Sequence, residues 1–167
     1  MGSSKGSGAG SAAGKAAAGL LQGVVKKSRK SKPVPGAVKP LDVRTYIENK
    51  KLEKVGDKLE HDHIPSSAAL IRAAEKKRGG PLTKAEKRKI HNEGNTIEVP
   101  SSVHAKSDTY RGKNTQAQID ADAADLSAAA KRDYATTRRN LIADGHSPQA
   151  VDRALDELRA ENKKRGI

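Results

Sequence analysis

Phenylalanine, tryptophan and cysteine are all absent from this chain, and only three tyrosines are present. Aromatic side chains bury the most apolar area per residue. Without them the 167-residue chain is limited to a small aliphatic core, of the kind that often depends on a metal or a partner. The hydrophobic share of 34% is below that of an ordinary globular domain. The net charge of +13 favours polyanionic partners, with nucleic acid foremost. Absence of cysteine excludes a disulfide framework and a zinc–thiolate site. No apolar run of about 18 residues is present, so no transmembrane segment is expected.

Residues 1–40 read as a flexible Gly/Ala/Lys-rich tail or linker, too poor in apolar residues to fold. The patch AAAGLLQGVV resembles a signal-peptide core only superficially, because KKSRKSKPVPG follows it in place of a cleavage site. From Leu41 the pattern changes, and residues 41–167 read as one folded domain. LDVRTYIENKKLEKVG suggests a short helix or strand. SSAALIRAAEKKRGG predicts a helix capped by Ser66 or Ser67 and stopped by Gly79. TKAEKRKIHNEG predicts another, with Thr83 and Glu86 as a capping box and Gly94 as its end. Alternation and β-branching predict a strand over Thr96–Val99. One long helix is expected after Thr115, running to Gly145. A last helix begins with Ser147 as cap and Pro148 at its first position, with Val151, Leu155 and Leu158 as its apolar stripe. These elements predict an α+β fold.

The stretch GDKLEHDHIPSSAAL, residues 56–70, concentrates His61, Asp62 and His63 in one place. Downstream lie Asn95, His104 nine residues after it, and Asp108 four residues further on. A strand followed by one helical turn brings the ends of this set together. If VHAKSD is helical, His104 and Asp108 share a face. His61 reads as an exposed loop residue, His91 as a surface or phosphate-facing residue, and His146 as part of a loop. The basic stretch holding Lys84, Lys87, Arg88 and Lys89 is either a solvated helix face or a phosphate-tracking surface. Arg111 and Lys113 are further candidates for nucleic-acid contact. Tyr110 either approaches a substrate or packs beneath the site.

HDHIP followed by NTIEVPSSVH resembles the HNH endonuclease superfamily, whose site is a ββα-metal unit. With SDTYRGKN and the terminal NKKRGI, the chain is more narrowly similar to HNH-type nuclease domains of bacterial polymorphic toxins. The resemblance covers about residues 45–167. It implies that a small ββα unit is embedded in helices, with His63 as general base and Asn95 orienting it. Asp62 and His104 would be metal ligands. Asp108 would be a further ligand, standing where some relatives carry histidine. It also implies one divalent ion, of magnesium, manganese, nickel or zinc, without choosing among them. The implied activity is metal-dependent hydrolysis of DNA with little sequence preference. The protein would be secreted or delivered by a bacterial secretion system, would act in the target-cell cytoplasm, and would be blocked by a cognate immunity protein expected to be acidic. Two other readings stay open on the residues alone: an RNase toxin, and a non-catalytic basic protein that binds nucleic acid.

Overall fold

The computed structural model describes residues 36–167. The expectations for the basic tail and its apolar patch therefore lie, up to residue 35, outside the described residues. The fold is α+β, with seven α-helices and one three-stranded antiparallel sheet among the described residues. In chain order the elements are β1 (Val43–Thr45), α1 (Tyr46–Leu52), β2 (Leu59–His63), α2 (Ser67–Arg78) and α3 (Lys84–Glu93). After them come β3 (Asn95–Pro100), α4 (Ser101–His104), a 3₁₀ turn (Arg111–Lys113), α5 (Gln116–Ala124), α6 (Leu126–Ala143) and α7 (Pro148–Lys163). No helix among the described residues is long and apolar enough to cross a membrane.

The LDVRTYIENKK segment supplies both a strand and a helix. Val43–Thr45 pairs with β3, and Thr45 with Glu48 then caps α1. Val38 is already buried ahead of Leu41. The local stop and start signals act as expected further on. Ser66 Oγ accepts from the Ala69 N–H at 3.2 Å, and Gly79 closes α2 at φ 77°. Ser147 Oγ accepts from the Ala150 N–H, and Pro148 opens α7.

The long helix expected after Thr115 is instead two. Asp125 takes φ −144° and ψ 87°, which ends α5, and its carboxylate accepts the Ala128 N–H at 2.9 Å to start α6. An aspartate at that point competes for backbone donors and is worth more as a cap than as a helical residue.

β3 is the central strand, with β1 and β2 on its two sides. Ile97 and Val99 of β3 are fully buried, as are Ile64, Leu141, Val151, Leu155 and Leu158. Together with Val103 and Tyr134 they form one apolar cluster between the sheet and helices α6 and α7. Each fully buried leucine or isoleucine contributes about 1.5–3 kcal/mol. The expected stripe of Val151, Leu155 and Leu158 is the face α7 turns to this cluster.

Helix α3 is anchored by a complete capping box. The Thr83 N–H and Oγ–H both donate to Glu86 Oε2 at 2.8 Å, and the Glu86 N–H returns to Thr83 Oγ1 at 3.3 Å. Those two Thr83 bonds, with Arg78 beside them, hold the Glu86 carboxyl down at about 2. A carboxyl depressed in the folded state stabilises above its unfolded pKa and loses that contribution as pH falls towards the folded one. The stability difference between the parent and Glu86→Gln should therefore be constant above about pH 5 and shrink as pH falls towards about 2. Urea unfolding across that range reads the slope. Thr83→Ala should cost about 1 kcal/mol at neutral pH.

Candidate active site

Strand β2 lies at the edge of the sheet, and successive residues point to opposite sides of it. Glu60 and Asp62 face α4, whereas His61 and His63 face Tyr46 at the start of α1. A cleft of about 540 Å³ is lined from both sides by Tyr46, Glu60, Asp62, His63, His104 and Arg111, among others. Among the described residues no strand pairs with the outer edge of β2, and side chains from both of its faces reach one opening.

His63 closes β2 and is nearly buried. Its Nε2 lies 3.0 Å from the His91 carbonyl oxygen. A carbonyl only accepts, so Nε2 carries the hydrogen and Nδ1 keeps a free lone pair. Nδ1 has no hydrogen-bond partner among the described residues. Burial is the main cause that pushes the imidazole down to about 4, so the ring is neutral at physiological pH. The Tyr46 ring stacks on it with centroids 5.2 Å apart, and the His91 ring lies 4.6 Å away.

On the other side of β2, His104 ends the four-residue helix α4. Its Nε2 lies 3.4 Å from Asp62 Oδ1, and its Nδ1 lies 2.5 Å from Glu60 Oε2. Burial lowers the pKa of His104, but Asp62 and Glu60 outweigh burial and raise it overall. Tyr110 packs edge-on against the His104 ring at 4.9 Å, and the Arg111 guanidinium sits over the Tyr110 ring.

Among the described residues no three His, Cys, Asp or Glu side chains converge into a metal cage. Asp62 and His104 nevertheless fit a two-ligand cation site. A separation of 3.4 Å suits an oxygen and a nitrogen each about 2.0–2.2 Å from one ion. Asp62 Oδ2 meets Thr137 Oγ1 at 3.5 Å, so one carboxylate oxygen is held from behind and the other faces His104.

Asp108 and Asn95 stand apart from this arrangement. Helix α4 ends at His104, so Asp108 does not share its face. Asp108 is exposed, accepts a hydrogen bond from Thr136 at 3.1 Å, and does not line the cleft. Asn95 opens β3 as expected, but its Nδ2 donates to Asn162 Oδ1 at 2.8 Å. The group that fixes the His63 ring is the His91 main chain. His61 belongs to β2 and not to a loop. Its Nδ1 is paired with Glu98, and its Nε2 is 3.2 Å from Glu53. His91 is half-buried, with Nδ1 bonded to Ser67 Oγ at 2.9 Å.

The basic candidates divide. Arg111 lines the cleft, and Lys113 Nζ donates to the Ala105 carbonyl. Lys87 is paired with Glu75 at 2.7 Å. Lys84, Arg88 and Lys89 are exposed, and the last two border a separate hollow between α1 and α3.

Over 131 residues, 78% of its length, the chain is 47% identical to the deoxyribonuclease CdiA of Dickeya dadantii strain 3937. It spans 4% of the length of that protein. No family model matches the chain. No solved structure matches it.

Gly94, between α3 and β3, makes the His63 position possible. A Cβ there would stand 2.7 Å from His63 Cδ2 and 3.1 Å from Nε2. The backbone at Gly94 is ordinary (φ −60°, ψ 138°), so the requirement is for space alone. Gly94→Ala should displace the ring from the His91 carbonyl and cost about 1–3 kcal/mol of stability. Long-range proton–nitrogen NMR should show His63 as the Nε2–H tautomer in the parent and a mixture in the variant.

Proposed function

We propose that this domain is a metal-dependent endonuclease of HNH type that hydrolyses DNA. The observation that carries the reading is His63: a buried, neutral imidazole whose Nε2–H is held by the His91 carbonyl, leaving Nδ1 free in the cleft that Asp62 and His104 line from the other face of β2. The order β2, β3, α4, with Asp62 and His63 ending one strand, supports the HNH assignment, while His104 closes its helix where the HNH pattern has that histidine at the helix start. The deoxyribonuclease named above supports DNA as the substrate.

In this reading Nδ1 of His63 takes a proton from the attacking water, the task of a general base. The His91 carbonyl keeps the ring in the tautomer that does so, and Tyr46 and the space at Gly94 keep it in place. Asp62 and His104 would hold one divalent cation, magnesium, manganese, nickel or zinc, which when bound neutralises phosphate charge and stabilises the departing 3′ oxygen. Arg111, at the mouth of the cleft, would meet a backbone phosphate. Exposed Lys84, Arg88 and Lys89 would add affinity without reading bases. In the same reading the domain acts as a toxin, secreted or delivered by a bacterial secretion system into the cytoplasm of a target cell. A basic nuclease of that kind calls for an acidic immunity protein whose association falls steeply with salt.

Plasmid cleavage across a metal panel, with EDTA and an RNA substrate as controls, tests this. His63→Ala should lower the rate about 10²–10⁴-fold while DNA binding persists. Asp62→Ala and His104→Ala should each weaken binding of the divalent cation by calorimetry. Cleavage that survives both exhaustive chelation and His63→Ala overturns the reading.

A further inference from the structure

We propose that Glu60 is a positioning residue for His104: it sets the tautomer that leaves Nε2 open towards Asp62. This rests on the metal-dependent reading above and concerns a residue to which that reading gives no part.

Helix α4 is a single turn with no side-chain cap, so the helix alone does little to fix the His104 ring. Two carboxylates do so. Glu60 and Asp62 are two apart on β2, which places them on one side of the strand. They bracket the imidazole, Glu60 at Nδ1 and Asp62 at Nε2. The Tyr110 ring walls it edge-on. Asp62 is buried, whereas the Glu60 side chain is 33% exposed.

A neutral imidazole carries one hydrogen, and the shorter contact decides where it lies. At 2.5 Å Glu60 takes the Nδ1–H, while 3.4 Å to Asp62 is too long for a strong bond. Nε2 is then a lone pair next to a carboxylate oxygen, the donor set a cation needs. If Glu60 is removed, Asp62 becomes the only acceptor in reach. The hydrogen moves to Nε2, and the nitrogen that should ligate is blocked. Partners of this kind around ligating histidines typically change metal affinity about 10–100-fold.

The test compares the full chain with Glu60→Ala and Glu60→Gln. Two readouts are taken: the His104 tautomer by proton–nitrogen NMR without metal, above the imidazole titration, and calorimetric affinity for Mn²⁺ or Zn²⁺ alone. The parent should show Nδ1–H. Glu60→Ala should move His104 to Nε2–H and weaken the ion by about 10–100-fold. Glu60→Gln, whose amide oxygen still accepts the Nδ1–H, should keep the tautomer and most of the affinity. An unchanged His104 tautomer in Glu60→Ala overturns the proposal. So does a Glu60→Gln variant that binds the ion as weakly as Asp62→Ala, since Glu60 would then be a ligand by charge. The NMR arm needs neither metal nor DNA, so loss of the nuclease reading, seen as a parent protein that cuts nothing, is separable from loss of this one.

Discussion

One buried amide ties the segments of the cleft together. Asn162, near the end of α7, donates through Nδ2 to the Ile64 carbonyl and to the Tyr134 hydroxyl, both at 2.6 Å. Its Oδ1 accepts from Asn95. Ile64 follows His63 directly, and Asn95 opens the strand paired with β2. The side chain is 2% exposed, so leaving any of these groups unpaired would cost about 1–3 kcal/mol. The C-terminal helix thereby holds the end of β2 and the beginning of β3 at fixed separation. Leu155 and Leu158, on the same helix, bury their side chains in the cluster that backs the sheet.

A chain without phenylalanine or tryptophan has little apolar area to order its sheet, and polar contacts take over part of that work. Asn49 donates to Thr96 on the central strand, and Thr96 passes its own hydroxyl hydrogen to the Arg44 carbonyl. These groups are buried and satisfied, which gives direction that aliphatic packing lacks. Such precision matters at a site where a ring must meet one carbonyl and clear one Cα. Mispositioning by about 1 Å can cost two orders of magnitude in rate.

What the sequence made legible follows from range. Ser66, Gly79, the Thr83–Glu86 box and the Ser147–Pro148 start act within four residues, and each was readable. Asp125 carried the same kind of local signal but sat inside a hydrophobic periodicity that ran across it, so the periodicity masked the break. The spacing of Asp62, His63 and His104 was readable, and the fold brings all three to one cleft. The partners of Asn95, 67 residues away, and of His104, 44 residues away, were not, since they depend on how β2, α4 and α7 pack. Asp108 misled for the opposite reason: four residues suit one helical face, but the helix ends at His104. The His91 contribution is a carbonyl, and a main-chain group leaves no mark on residue identity.

The two histidines on one face of β2 illustrate why the HDH pattern does not mean two equivalent bases. His61 sits directly across from Glu98 in the register of β2 and β3. Glu98 is fully buried on the central strand, and its Oε2 has no partner among the described residues. A carboxylate in that position is costly unless a cation faces it. Burial alone would lower the His61 pKa, but Glu98 and then Glu53 outweigh burial and raise it. Both ring nitrogens are thus committed to carboxylates, and nothing remains for a substrate. His63, two residues on, has a carbonyl in place of a carboxylate, and the same burial drives it neutral. The difference between a histidine committed to carboxylates and a candidate base lies in what each ring meets across the strand, a glutamate side chain in one case and the end of α3 in the other.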